Sequence, residues 1–313
     1  MAGTLVIGFV FVDIKGFALG DYNPHGRNLG TVKFLHGGVS RNVVETIANT
    51  GMPVTFASLC EDTALGNDVV KRLVRAGADV SRMRYVDHNG IGTWLVVLDR
   101  DGNVAGQISC PPDTAALEAL IEEEGESMVR DADNIVLELD TSAAIAEKIL
   151  PLAKRYGKPV YTVVGNMSVI SSRREFVAAL DCFVCNEIEA GMMFGEKLEG
   201  RAPDYVLSVL KERIGELGCP SMVVTMGAMG AAYCDTRTGE AGICPAIPTK
   251  LVDSTGAGDA FLSGVVMGLS RGMKLEGAVK AGTALASLAI RTEESCIAED
   301  HTFWSRLTGE NRL

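Results

Sequence analysis

The feature that most constrains the fold is a rhythm of short apolar runs set between helical stretches. Leu5 to Val12 is continuous and rich in β-branched residues, which predicts one buried strand of the parallel-sheet kind. NIVLEL at 134–139, PVYTVV at 159–164, CFVC at 182–185 and SMVVTM at 221–226 repeat it. Stretches such as TSAAIAEKILPLAKRYG and DYVLSVLKERIGELG stand among them with helical spacing. Alternation of this kind predicts βαβ crossovers and an open sheet covered by helices. No fixed-period repeat or long linker interrupts it, so residues 1–313 read as a single large α/β domain. Two parts break the rhythm. Residues 91–109 read as two strands around an Asp101-Gly102 turn, and Gly30 to Leu35 as a further short strand. These place lid segments at about 12–36 and 88–110, over the sheet end where ligands bind in such folds. A plain surface hairpin is the alternative.

Composition excludes several classes. Forty acidic against 29 basic residues give a net charge of −11, so a nucleic acid would meet a repulsive mean field. No run approaches the roughly 20 apolar residues of a membrane span, and the first residues lack a basic stretch before their short apolar run, so a cytoplasmic protein is expected. The 8 cysteines are scattered, and the one close pair, Cys182 and Cys185, reads as buried packing. The 4 histidines show neither triad nor metal spacing. What remains unusual is the 35 glycines, an excess that points to tight turns and close backbone approaches.

The strongest cluster is LVDSTGAGDAFLSGVVMGLSRG at 251–272. Thr255-Gly256-Ala257-Gly258-Asp259 precedes small and apolar residues at helical spacing, so a glycine turn enters a helix. Such a turn offers unpaired N–H groups at the positive end of the helix dipole, where phosphate oxygens bind. Asp259 is either dipole compensation or a base beside a phosphate cradle. The Walker loop and the G-x-G-x-x-G turn after the first strand are both absent. A second glycine turn, Thr225 to Gly230, follows the SMVVTM strand, and a third, His36-Gly37-Gly38-Val39-Ser40-Arg41-Asn42, leads into VVETIANTG. Each alone is also what a capping loop looks like.

G-G-x-x-x-N near residue 40, N-x-x-E at 186–189, T-x-G-x-x-G at 225–230 and D-x-T-G-A-G-D at 253–259 together resemble the ribokinase-like (PfkB) carbohydrate and nucleoside kinase family. The resemblance implies a three-layer α/β/α domain with a mostly parallel central sheet and a small β lid, and ATP as donor to a hydroxymethyl group. Carried over by position, Asp259 becomes the general base, and the amides of Gly256, Ala257 and Gly258 the anion hole. Thr225, Gly227, Gly230, Thr255 and Gly258 become nucleotide contacts, with Asn186 and Glu189 serving Mg²⁺ near the triphosphate. A polar helix start is the plainer reading of that last pair. Asp253 and Thr255, with backbone from 289–295, correspond to a monovalent cation site that some relatives fill with K⁺. Segment 281–291 corresponds to the adenine wall, although its small and apolar residues equally suit a core helix.

For the acceptor, the resemblance assigns Asp13, Lys15, Gly37, Gly38, Asn42 and Glu138. Asp13 reads as closing the first strand, where the family places an acid that grips hydroxyls. Val12-Asp13-Ile14-Lys15-Gly16, Asn23-Pro24 and Gly37 to Asn42 resemble the pseudouridine kinase branch, while His25 interrupts its N-P-G and Val164-Gly165-Asn166-Met167-Ser168 stands where it has D-P-x-S. Lys15 and Asn23 read as base or ribose contacts, or as a solvated lysine and a turn asparagine. Trp94 reads as stacking on a base or sugar face, or as covering the core. Three acceptor readings follow: a nucleoside such as pseudouridine; a free sugar such as ribose, fructose or a keto-deoxy acid; and a non-catalytic sugar binder of the same fold. The partner in each is a small molecule, and a homodimer through the lid is the expected assembly.

Overall fold

Residues Leu5 to Val12 do not form one strand. In the computed structural model, which describes residues 3–139, 141–166 and 173–309, strand β1 (Thr4–Ile7) lies in the centre of a large sheet and β2 (Phe11–Ala18) belongs to a different, smaller one. The break has a polar cause. Glu138, at the end of β8 (Asn134–Glu138), accepts hydrogen bonds from the Phe9 N–H at 3.0 Å and the Ser40 hydroxyl at 2.6 Å through Oε2. Only a residue without a side chain fits beside that carboxylate. A methyl group at Gly8 would overlap both Ser40 Oγ and Glu138 Oε2. Hence Asp13 does not close the first strand but stands third in β2, inside the small sheet.

The large sheet is parallel as predicted. Its strands run β5 (Met83–Val86), β4 (Val54–Glu61), β1, β8 and β9 (Val160–Val163). A parallel bridge from Tyr161 to Cys182 continues it into β10 (Phe183–Asn186), parallel to β11 (Ser221–Thr225), with β12 (Ala231–Asp235) and β13 (Ala241–Cys244) added antiparallel. Alternate side chains feed two cores, one on each face. Leu5, Ile7, Ile135 and Leu137 pack with helices 114–131, 143–156 and 203–213, whereas Val6 and Val136 pack with helices 39–49, 64–76, 257–270 and 275–289. Three layers result. Cys182 and Cys185 are both buried in this packing, and burial pushes their thiols up.

The small sheet runs β3 (Gly30–Gly37), β2, β6 (Gly92–Leu98) and β7 (Val104–Cys110). β6 and β7 form the hairpin read from 91–109, and β2 pairs with β6 in parallel. Partners across the strands share a face. Leu35, Asp13, Trp94 and Ser109 lie on one side with Lys33, Lys15, Val96 and Gln107, and Phe34, Ile14, Leu95 and Ile108 on the other. The first face turns toward the domain, because Lys33 pairs with Glu293 at 2.7 Å. Among the described residues no helix is long and apolar enough to cross a membrane.

Crowding at Gly8 gives the first prediction. Gly8→Ala must push aside the Glu138 carboxylate or the Ser40 hydroxyl, so it lowers stability by about 1–3 kcal/mol, the usual cost of overpacking. Urea unfolding checks this: an unchanged midpoint would mean that the strand break does not depend on the glycine.

Candidate active site

The glycine turn at 253–258 is held rigidly from both sides. Gly256 starts helix 257–270 with φ +77°, and a methyl group there would overlap the backbone of Ser295. Val252 N–H donates to Ile290 O at 2.8 Å, which binds the turn to the 289–295 segment. Asp253 Oδ1 accepts from both the N–H and the hydroxyl of Thr255 at 2.8 Å. Burial pushes the Asp253 carboxyl up, but these hydrogen bonds outweigh it and hold the group below its ordinary range. Of the three amides assigned as an anion hole, that of Ala257 donates to Ser254 O at 3.2 Å, whereas those of Gly256 and Gly258 have no partner among the described residues. Two donors therefore remain at the positive end of the helix.

Asp259 follows directly, in the first turn of the same helix. Its Oδ2 accepts from Asn42 Nδ2 at 2.6 Å, which joins helix 257–270 to helix 39–49. The residue keeps some surface in a cavity, but its carboxylate lies among protein atoms. That desolvation lifts its pKa to about 7, against the opposing pull of the Asn42 hydrogen bond and the Arg41 charge. Asn42 is itself buried, and its Oδ1 has no hydrogen-bond partner among the described residues. Beside the carboxylate stands an unused acceptor.

Two cavities meet at Gly258. The larger, about 600 Å³, is lined by Thr225, Gly227, Gly230, Phe261, Thr283 and Ser287, among others. The smaller, about 110 Å³, is lined by Asn186, Glu189, Thr225 and Asp259. A methyl group on Gly258 would enter open space rather than protein. Segment 281–291 is partly core and partly cavity wall: Ala281, Leu285 and Ala289 are buried, and Thr283, Ser287 and Ile290 line the larger cavity. Thr225 donates to Cys185 O at 3.3 Å, and the turn after it closes through Met226 N–H to Gly230 O at 2.8 Å.

Asn186 and Glu189 form a capping box. Asn186 Oδ1 accepts from the Ile188 and Glu189 amides at 2.9 Å, and Glu189 Oε2 accepts from the Asn186 amide at 2.8 Å. The helix-start reading and the site reading are thus compatible, since the box fixes both side chains at the wall of the small cavity. Among the described residues no group of three or more His, Cys, Asp and Glu is placed to hold a metal.

The Gly37-Gly38 turn is fastened by a residue that sequence reading left unassigned. Arg41, 1% exposed, donates from Nε to Gly37 O at 3.1 Å and from Nη2 to His36 O. Its Nη1 pairs with Glu45 at 2.6 Å, Glu45 pairs with Arg72 at 2.7 Å, and Arg72 with Glu294 at 2.8 Å. The Arg41–Glu45 step is legible as an i, i+4 pair; its continuation to Arg72 and Glu294 requires the fold. Asp13 sits against this turn, so close that a methyl group on Gly37 would overlap its carboxylate. That carboxylate accepts no hydrogen bond from a described residue. Burial raises its pKa despite the charges of Lys15 and Arg41. The charge of Lys15 lowers both the Asp13 and the Asp253 carboxyl, against their burial. Glu138 is buried, with Oε2 engaged at the strand break. Asn23 is occupied within its own loop, bonded to Asn28 and His25. Met167 and Ser168 lie outside the described residues.

The family follows from comparison. The model of the pfkB family carbohydrate kinases matches residues 1–302. The chain belongs to that family. Its members transfer a phosphoryl group from ATP to sugars and nucleosides, so the chain is an ATP-dependent kinase. It is 33% identical to a guanosine-inosine kinase of Exiguobacterium acetylicum, over 93% of this chain and 95% of that protein. It is 25% identical to the pseudouridine kinase of Escherichia coli, over 93% and 91% respectively. The ribokinase of Arabidopsis thaliana, solved with ribose and ATP, superposes with a TM-score of 0.83 over 98% of this chain and 99% of that one, at 22% identity. The ribokinase-like fold is the conclusion that this last likeness supports.

The two glycines of the turn should separate fold from chemistry. Gly256→Ala collides with the Ser295 backbone and is predicted to lower the melting temperature along with activity. Gly258→Ala meets no protein atom and is predicted to keep the melting temperature while raising the KM for ATP or lowering kcat at least tenfold. Full activity in Gly258→Ala would show that no ligand occupies the junction of the cavities.

Proposed function

We propose that this kinase phosphorylates the hydroxymethyl group of a nucleoside, with Asp259 as the general base. The observation that carries the reading is the position of Asp259, bonded to Asn42 of the acceptor turn and one residue from the glycine turn where two cavities meet. The acceptor hydroxyl gives its proton to Asp259 as its oxygen bonds to the γ-phosphorus, and ADP leaves with the electrons of the broken P–O bond. The Gly256 and Gly258 amides, with Ala257 beside them, face the charge on the transferred group. Asp13, Lys15, Gly37, Gly38 and Asn42 hold the acceptor's hydroxyls, with Asn42 Oδ1 taking one of them. Thr225, Gly227, Gly230 and Thr255 contact the nucleotide.

Asn186 and Glu189 are the residues that would hold Mg²⁺. A pair of oxygen side chains without a full protein cage suits an ion that keeps waters and binds phosphates. Bound there, the ion supplies charge neutralisation on the phosphate oxygens. Asp253, Thr255 and the 289–295 backbone are the place for K⁺. One domain of residues 1–313, with the small sheet as its lid over 12–36 and 88–110, is the domain reading. A homodimer through the apolar outer face at Phe34, Ile14, Leu95 and Ile108 is the assembly reading, and sedimentation at micromolar concentration giving only monomer rejects it. A cytoplasmic location agrees with 8 cysteines that are all free thiols.

The greater likeness to the guanosine-inosine kinase moves the preferred acceptor from pseudouridine to a purine nucleoside. ADP release with inosine, guanosine, pseudouridine, ribose and fructose tests the class. A free sugar turned over faster than every nucleoside would overturn it in favour of the sugar-kinase reading.

Asp259 also sets a pH dependence. The base must be ionised, so kcat rises with pH through about 7, and Asp259→Asn lowers kcat by about 10²- to 10⁴-fold. Stability moves the opposite way. A carboxyl whose folded pKa is raised favours the fold below its unfolded value near 4 and loses that contribution as pH rises through about 7. Asp259→Asn is therefore expected to melt higher than the wild type at pH 8, with the difference shrinking toward pH 5. A variant both inactive and less stable at pH 8 would point to a structural role for the acid instead.

A further inference from the structure

The face of the small sheet that carries Asp13 and Lys15 also carries a side-chain pair with a fixed hydrogen-bonding sense. Trp94 stands opposite Asp13, and Gln107 stands opposite Val96, one strand beyond Lys15. The Trp94 Nε1–H donates to Gln107 Oε1 at 3.1 Å. An indole can only donate, so the amide cannot reverse without setting donor against donor. Its oxygen is turned to the tryptophan, and its NH₂ group is the end left to recognise a ligand. Both side chains keep solvent contact, as a surface that receives a flat ring must.

We propose that Trp94 and Gln107 read the base of the nucleoside acceptor, the indole by stacking and the Gln107 NH₂ by donating to a ring carbonyl, so that oxo bases are accepted over amino bases. The proposal rests on the nucleoside reading above and deepens it. A 6-oxopurine or a uracil-type ring offers a carbonyl oxygen to the amide, whereas adenine or cytosine presents an amino group at the corresponding edge. Two donors then face each other and one loses its partner, which disfavours the amino base about tenfold to a hundredfold. Sequence reading found Trp94 but not Gln107, because pairing across β6 and β7 depends on the register of the hairpin.

The test is the ratio of kcat/KM for inosine over adenosine, and for uridine over cytidine, in the wild type, Gln107→Glu and Trp94→Phe. A ratio on one preparation is unaffected by partial loss of folded enzyme, and the melting temperature of each variant is recorded beside it. The wild type should favour the oxo bases at least tenfold. Gln107→Glu keeps an oxygen for the indole and presents a second acceptor, so the ratio should fall at least tenfold or invert. Trp94→Phe keeps a stacking ring but releases the amide, so the ratio should fall toward one while the KM for inosine changes less than the ratio. Nucleosides turned over with ratios unchanged in Gln107→Glu would overturn this proposal alone. Turnover of ribose but of no nucleoside would overturn it together with the nucleoside reading.

Discussion

Everything around the Gly37-Gly38 turn depends on one buried carboxylate. Glu138 takes the Phe9 amide and the Ser40 hydroxyl at the end of β8, and in doing so ends β1 and frees the chain to start a second sheet four residues later. A backbone amide so close to a central strand would otherwise be paired in the ladder. The consequence is geometric. β2 leaves at the edge of the active site rather than inside the large sheet, so Asp13 arrives beside Gly37, and the Ser40 contact fixes the start of the helix that carries Asn42.

A second constraint links that turn to the glycine turn at 253–258. Arg41 fastens the His36 and Gly37 carbonyls, and through Glu45 and Arg72 the charges continue to Glu294, next to the Ser295 backbone that crowds Gly256. Burial works against the ionised Glu45, yet two arginines hold it below its ordinary range. Such a network adds little net stability compared with apolar packing, but removing one member leaves a buried charge unpaired, which is costly. Its physical effect is registration: the Gly37-Gly38 turn and the 253–258 turn lie on different elements, and a chain of directed bonds sets the distance between them.

How much of this was legible depends on whether the signal was local. The parallel sheet followed from apolar runs and their spacing, and the turn at 253–259 from glycine and helical periodicity, because both are properties of contiguous residues. The split of Leu5 to Val12 was not legible, since the run is uniformly apolar and its interruption comes from Glu138, far along the chain. Likewise Asn42 and Asp259 could be named singly as candidates, but their 2.6 Å bond needs helices 39–49 and 257–270 packed together. Asn186 and Glu189 show the reverse limit. Their N-x-x-E spacing is the same whether it caps a helix or faces a triphosphate, and the fold makes it do the first while leaving both residues at the wall of the small cavity.

The acidity of the chain bears on how it handles an anionic nucleotide. With a net charge of −11, long-range attraction is unavailable. What the glycine turn offers instead is local dipoles, unpaired amides at a helix start, which act over short distances. The Gly258 amide stands one residue from Asp259, and in the proposed reaction an ionised carboxylate there would oppose the phosphate. Desolvation eases that conflict. A pKa near 7 lets the acid be neutral or charged at little cost near neutral pH, which is what the proposed base needs in order to tolerate a phosphate and still accept a proton. The Asn42 bond adds direction, because an amide N–H on Oδ2 ties the carboxylate to helix 39–49. Burial and one hydrogen bond thus set the proton affinity and the orientation of Asp259 from the same packing of two helices.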